Sequence, residues 1–244
     1  MSDLFKHIAS HYDDYRVSHR NFCDYISLRS DINEKSILVD VGCGTGNETL
    51  AIFNRFGCKI IGIDPSNEML DKARVKTSLI SWLNAPAEKI PLADHFCNFI
   101  TAFFSVHYFT NFEKVIREFY RLLKPSGKIF IFTLTHEQLM TIKEYEFFPT
   151  LLQIDCNKFQ DLNFLESSFK TNGFNTRLES VFYQDIPIDN NYIEMVKSRY
   201  RVSFNKISDI EIFSGIELIK NELDRKGPWI ERVYCTLITA EKKS

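Results

Sequence analysis

The sequence predicts an α/β fold, a doubly wound and mainly parallel sheet with helices on both faces and a helical insertion late in the chain. Three observations predict it. Short apolar runs alternate with amphipathic helical patterns between residues 36 and 134. Three glycines, Gly42, Gly44 and Gly46, follow directly on the first run. After residue 134 the alternation gives way to aromatic-rich and helical segments before a last apolar run. Runs that are apolar throughout, rather than at every second residue, mark strands covered on both faces, as in parallel sheets.

The elements follow in order. "SILVDV" (36–41) precedes "TGNETLAIFNRF", where Leu50, Ile52 and Phe53 form a helical stripe. "CKIIGID" (58–64) precedes "SNEMLDKARVK", with Met69, Leu70 and Ala73 on one face. Ser66 suits the N-cap of that helix and Glu68 its positively polarised first turn. "SLISWLNA" (78–85) is the weakest strand of the set. "CNFITAFFS" (97–105) leads into "NFEKVIREFYRLL", whose Phe112, Val115, Ile116, Phe119, Leu122 and Leu123 share a face. "KPSG" (124–127) ends that helix, because proline cannot continue it and glycine accepts the turn. "GKIFIFTL" (127–134) is the next strand, followed by a Phe-, Tyr- and Asn-rich stretch over 136–160. A helix ends at "TNGF" (171–174), "NTRLESVFYQDI" is a strand, 189–227 reads as amphipathic helix, and "ERVYCTLITAE" (231–241) is the last strand. Strand–helix–strand crossovers of this kind wind a sheet doubly. With no repeat or linker, one domain over 1–244 is expected: an N-terminal helical segment (1–35), a ligand-binding core (36–134), a cap (135–230), then the last strand and tail (231–244).

Composition narrows the function. At 244 residues and 44% apolar content the chain can bury a substantial core. Its 30 basic and 32 acidic residues nearly cancel, leaving a net charge of −2 with no basic stripe, which argues against a nucleic-acid partner. Six cysteines (Cys23, Cys43, Cys58, Cys97, Cys156, Cys235) form no CxxC pair, and the histidines add no close ligand pair. Reduced thiols and no metal centre are expected. The start lacks the apolar core of a signal peptide, and no run approaches membrane-spanning length. The expectation is a cytoplasmic monomer or dimer with no membrane partner.

In a doubly wound sheet, ligands bind at the carboxyl ends of the strands, where strand order reverses. Glycines at the first strand's end let the backbone turn tightly and approach a ligand with no Cβ between. A turn alone needs one glycine; three in alternation point to a ligand. Asn47 stands where a dinucleotide loop has its third glycine, and no GK[ST] follows. Both phosphate-binding fingerprints are therefore missing. The DxGxGxG pattern that begins at Asp40 resembles the first motif of the class I S-adenosylmethionine-dependent methyltransferases.

The resemblance runs on through residues 37–134. "IIGIDPSNEMLDKAR" resembles the family's second motif, which puts Asp64 on the cofactor's ribose hydroxyls. A carboxylate suits two vicinal hydroxyls because it accepts two charge-assisted hydrogen bonds. "APAEKIPLADHFCNFITAFFSVHYF" is similar to the next block, with Ala87 and Glu88 on the adenine side and Pro91 at the family's proline. Pro86 departs from it, standing where an Asp often meets the adenine amino group, and Asn98 replaces a usual Asp. "LKPSGKIFIF" resembles the entry to the fifth strand. "FKHIASHYDDYRVSH" resembles the segment before the core in small-molecule members, which implies Tyr15 and Arg16 near the methionine end. Together these motifs imply a Rossmann-like seven-stranded sheet, last strand antiparallel, with a helical cap. They imply S-adenosyl-L-methionine as cofactor, held by Tyr15, Arg16, Asp40, Gly42, Cys43, Gly44, Asp64, Pro65, Met69, Ala87, Glu88 and Phe103.

Methyl transfer from a sulfonium is an in-line displacement, in which the protein positions the nucleophile and excludes water. A hydroxyl acceptor would add the need for a base. His107, just after the fourth strand, is the catalytic candidate, since imidazole titrates near neutrality; structural hydrogen bonding and pocket lining are the alternatives. Its block resembles that of trans-aconitate methyltransferase and its relatives, and the chain as a whole resembles small-molecule members of the trans-aconitate and ubiquinone/menaquinone methyltransferase-like type. Phe104, Tyr108, Tyr145, Phe148, Tyr192, Arg199 and Trp229 are expected on the acceptor side. With 22 Phe and 10 Tyr in the chain, aromatic walls suit a planar or apolar small molecule. The expected function is methylation of such a molecule. A methyltransferase modifying tRNA or protein, and a non-catalytic cofactor-binding protein, are the other readings.

Overall fold

The first strand, β1 (Ile37–Val41), lies between β2 (Lys59–Asp64) and β4 (Cys97–Phe103) and is parallel to both. β3 (Ser81–Asn84) pairs in parallel with β2, and β5 (Leu123–Thr133) with β4. The last strand, β7 (Trp229–Lys242), is antiparallel to β5, and β6 (Phe174–Ile188) lies beyond it, giving the order 3-2-1-4-5-7-6. The structure, a computed structural model, describes Asp13 and residues 20–243. The expected Rossmann-like sheet of seven strands with an antiparallel last strand is present. Strand order reverses at β1/β4, which sets the place where a ligand crevice forms.

The chain divides into two compact units. The described part of the first comprises residues up to Thr133, Asn163–Ser180 and 236–243. Its helices include α1 (Arg20–Ser27), α2 (Asn47–Phe56), α3 (Asn67–Lys76) and α4 (Phe112–Leu122). Phe112, Val115, Ile116, Phe119 and Leu122 recur at helical spacing in α4 and pack on Val39, Ile100, Ile129 and Ile131 of the sheet. Each such side chain contributes about 1.5–3 kcal/mol on burial, so this stripe holds the helix to the sheet. The expected start at Ser66 is capped, and so is that of α4. Ser66 Oγ accepts the Met69 N–H at 3.2 Å, and Asn111 Oδ1 accepts the Lys114 N–H at 3.0 Å.

Two boundaries differ from expectation. The weak strand over 78–85 shortens to four residues. β5 begins at Leu123 rather than at Gly127: Leu123 pairs with Cys97 and Lys128 with Phe99, so "KPSG" is a bulge within the strand. Ser126, not the glycine, takes the left-handed conformation there (φ +58°). Gly127 serves space instead, since a Cβ on it would lie 2.9 Å from the Lys124 carbonyl oxygen.

The second unit comprises 134–162 and 181–235 and has its own apolar core. The Phe/Tyr-rich stretch folds as three short helices, α5 (His136–Leu139), α6 (Glu144–Phe147) and α7 (Pro149–Cys156). After α8 (Leu162–Thr171) and β6, the expected helical run of 189–227 divides. α9 (Asn190–Lys197) stops, Arg199 turns left-handed (φ +52°), and a 3₁₀ turn (Val202–Lys206) precedes α10 (Asp209–Lys226). Among the described residues, no helix is long and apolar enough to cross a membrane.

Candidate functional site

A cavity of about 210 Å³ opens where β1, β2 and β4 end. Gly42 and Gly44 line it after β1, and Asp64, Pro65, Ser66 and Met69 after β2. Ala85, Pro86, Ala87 and Glu88 follow β3, while Phe103, Phe104, Ser105, Tyr108, Phe109 and Thr110 follow β4. The glycine loop is drawn onto β2 by the N–H groups of Gly42 and Cys43, which donate to the Ile63 carbonyl at 2.8 and 3.0 Å.

The three glycines have three different surroundings. A Cβ on Gly42 would stand 2.4 Å from Ser105 Cβ, and one on Gly46 2.6 Å from Trp82 Cη2. A Cβ on Gly44 would meet nothing within 4 Å. Gly42 therefore admits Ser105, whose hydroxyl donates to the Val41 carbonyl at 2.9 Å and ties the ends of β1 and β4 together. Gly46 admits Trp82. Of the three, Gly44 alone has open space where a side chain would stand, and it lines the cavity.

Asp64, the last residue of β2, is 9% exposed. One carboxylate oxygen accepts the Gly44 N–H at 2.9 Å and the other the Ser66 N–H at 2.9 Å. Burial raises its pKa, and the two N–H groups offset part of that rise. Each oxygen keeps acceptor capacity for one more donor.

Asp40 differs, and the expectation of a cofactor contact there is corrected. It is 1% exposed and absent from the cavity lining. Its carboxylate accepts the hydroxyls of Thr49 at 2.5 Å and Thr101 at 2.8 Å, tying β1 to α2 and β4. Burial pushes its pKa up to about 7. Cys43 is also outside the lining, and burial raises its thiol pKa.

Glu88 lines the cavity while one of its oxygens accepts three donors: the Thr110 N–H at 2.8 Å, the Thr110 hydroxyl at 2.6 Å and the Asn111 N–H at 3.2 Å. Burial alone would raise its pKa; those donors outweigh it and hold it below the usual value. Asn98, at the position where the motif usually has Asp, accepts the Ile37 N–H at 3.0 Å and the Lys124 ammonium at 3.2 Å. Phe103 stacks on Phe132 with centroids 5.1 Å apart and on Phe22 at 5.5 Å. Phe104 sits left-handed (φ +46°), its N–H donating to the Phe132 carbonyl at 2.8 Å. His107 belongs to the 3₁₀ turn Val106–Tyr108 and is not among the lining residues, although its ring lies 4.1 Å from that of Tyr108, which is.

Several residues expected at the acceptor prove to be interior to the second unit. Tyr145, Phe148 and Tyr192 are 4%, 0% and 2% exposed in its core. The Tyr145 hydroxyl donates to Asp155 at 2.9 Å and that of Tyr192 to Glu144. Arg199 donates to the carbonyls of Phe204 and Ile207 and pairs with Asp209, closing the turn between α9 and α10. Trp229 is half-buried beneath the Lys226 ammonium, 4.0 Å from its ring centroid. Tyr15 and Arg16 lie outside the described residues. Ser105, Thr110 and Asp13 were not foreseen. The Asp13 carboxylate accepts the Thr45 hydroxyl at 2.6 Å and the Asn47 amide at 3.0 Å, and pairs with Lys76 at 2.7 Å. No local spacing signals such contacts. Among the described residues, no group of His, Cys, Asp and Glu is arranged to hold a metal ion.

Residues 39–131 match a family described as a methyltransferase domain. The chain is 36% identical over 106 residues to an uncharacterized methyltransferase-like protein of Schizosaccharomyces pombe, a match covering 43% of this chain and 41% of that one. It is 26% identical over 184 residues to a demethylmenaquinone methyltransferase of Shouchella clausii, covering 68% and 78%. The chain spans about half the length of the first curated relatives it matches. A solved structure described as a methyltransferase from an antibiotic biosynthesis pathway of Anabaena variabilis superposes with a TM-score of 0.76 at 22% identity, covering 92% of this chain and 98% of that one. At that identity the likeness speaks for the fold. The matched residues carry the glycine loop, Asp64 and the parallel core of the sheet, so it is over this part that the chain is similar to the methyltransferases.

Proposed function

We propose that the cavity binds S-adenosylmethionine and that the chain passes its methyl group to a small, aromatic or apolar acceptor. The observation that carries this reading is the Asp64 carboxylate, held by the N–H groups of Gly44 and Ser66 at the cavity wall with acceptor capacity to spare. A ribose diol has two hydroxyl donors to match it. The fit extends to the rest of the cofactor. Gly44 leaves room for its amino-acid portion, and Pro65, Met69 and Ala87 offer apolar walls to an adenine.

When bound, the sulfonium supplies an activated methyl group and a neutral leaving group. The chain's part is positioning and drying. Phe103, packed against the paired rings of Phe22 and Phe132, brings an aromatic ring to the cavity, and such a ring attracts a cation. Phe104, Tyr108 and Phe109 wall the same cavity and favour an acceptor of matching apolar character. A relative named for demethylmenaquinone supports an acceptor of small-molecule type. Because His107 does not line the cavity, the part we give it is to hold Tyr108 in place, rather than to take a proton from the acceptor.

Two measurements test the reading. Calorimetric titration with S-adenosylmethionine and S-adenosylhomocysteine should show uptake of both. Incubation with methyl-labelled cofactor and fractionated cell extract should place label in small molecules. Label in RNA or protein would overturn the acceptor class, and failure to take up either compound would overturn the whole reading.

A further inference from the structure

One side chain outside the cavity backs the glycine loop. Trp82, in β3, lies across β2 with its six-membered ring where Gly62 would carry a side chain. A Cβ on Gly62 would stand 2.5 Å from both Cε3 and Cζ3 of Trp82. The same ring reaches the loop: a Cβ on Gly46 would stand 2.6 Å from Cη2 and 3.1 Å from Cζ3. The indole N–H donates to the Thr77 carbonyl at 3.3 Å, just past α3. One rigid ring thus fills the space left by two glycines on different elements, and its polar end is tethered to a third.

Trp82 is absent from the cavity lining, whereas Gly44, two residues before Gly46, forms part of it. The Gly46 backbone is left-handed (φ +80°), and a loop built of glycines loses more freedom than any other on becoming ordered. A loop ordered before the ligand arrives spares that cost at binding. We propose that Trp82 is a positioning residue: its ring braces the glycine loop from behind and keeps the Gly44 N–H on the Asp64 carboxylate. Gly46, the third glycine of the motif, is thereby assigned to the tryptophan rather than to the ligand. The inference rests on the reading that the cavity takes S-adenosylmethionine.

The test is a set of calorimetric titrations with S-adenosylhomocysteine, well below the melting temperature, on wild type, Trp82→Phe, Trp82→Ala, Gly62→Ala and the Gly62→Ala/Trp82→Ala pair. Trp82→Ala should weaken binding about tenfold or more, as small misplacements at a binding site do. Trp82→Phe, which keeps a flat ring, should retain most of the affinity. Gly62→Ala should weaken binding in the wild-type background, where its methyl strikes the ring, and cost several-fold less beside Trp82→Ala, where only Cys43 Sγ at 3.1 Å still crowds it. A merely structural Trp82 would lower the melting temperature of Trp82→Ala while the folded protein bound ligand as tightly as before. That outcome overturns the inference alone, as do additive effects of the two substitutions. A wild type that takes up no ligand overturns the functional reading and this inference with it.

Discussion

The backbone N–H of Gly44 donates to Asp64 Oδ2 at 2.9 Å, joining the loop after β1 to the end of β2. The same carboxylate accepts the Ser66 N–H, so it orders the glycine loop and the start of α3 as well as facing the cavity. Asp64→Ala removes both functions. Hydrogen bonds to a charged group contribute about 1.5–3 kcal/mol, so S-adenosylhomocysteine should bind about 10- to 150-fold more weakly by calorimetry. Asp64→Asn keeps one acceptor oxygen but turns an NH₂ toward a backbone donor, and should lie closer to alanine than to wild type.

Gly42 and Ser105 are in such close approach that a single methyl is felt. The Cβ of Gly42→Ala would fall 2.4 Å from Ser105 Cβ, on a backbone with φ +71°. Overpacking and a left-handed alanine together should cost about 2–4 kcal/mol in urea unfolding. Adding Ser105→Gly should recover the steric part and leave the backbone part.

Asp40 gives a pH signature. Its carboxyl titrates near pH 7 when folded because of burial, but in the ordinary carboxylate range when unfolded. Between about pH 4 and pH 7 the unfolded chain therefore releases a proton that the folded chain keeps. Through this group, stability falls as pH rises across that window and is level above it. Asp40→Asn, whose amide can still meet the freely rotating hydroxyls of Thr49 and Thr101, removes the slope. The melting temperature of the variant relative to wild type should climb from pH 4 to pH 7 and then stay constant.

Asp40 and Asp64 also show how far residues disclose their roles. Both are acids closing an apolar run, and both match a motif. Asp40 is followed by Val41, still within the strand, and its side chain turns into the sheet; Asp64 is the last residue of its strand and meets the cavity. Local pattern identifies the run and misses that difference. Residues 36–134 were legible because strands, caps and the glycine loop depend on neighbours a few positions away. The second unit was not, because its helices end where distant partners require it. Arg199 turns left-handed near a residue, Arg201, that pairs with Glu144, 57 positions earlier. Aromatic abundance predicted a pocket, yet Tyr145, Phe148 and Tyr192 fill a core whose existence only those distant pairings reveal.

That ion cluster yields the last prediction. Arg201 pairs with Glu144 and reaches Asp155 at 3.7 Å, while its guanidinium lies 5.5 Å from the Tyr145 ring and 5.4 Å from that of Phe204. Asp155 also accepts the Ser203 hydroxyl at 2.5 Å and the Lys158 ammonium at 3.2 Å. Glu144 and Asp155 are 6% and 3% exposed, so removing the cation strands buried charge. Arg201→Ala should cost about 3 kcal/mol, the low end for a broken buried pair because the arginine side chain is itself 24% exposed. Arg201→Met with Glu144→Gln, which removes both charges of the pair, should recover part of the loss. Burial would raise the Asp155 carboxyl, but Arg201, Ser203 and Lys158 outweigh it and hold it below the usual range. Its contribution is present above the unfolded carboxylate pKa and lost as pH falls through the lower folded value. The gap in unfolding free energy between wild type and Arg201→Ala should therefore narrow as pH drops below about 4, and a gap that widened there would contradict this account of the cluster.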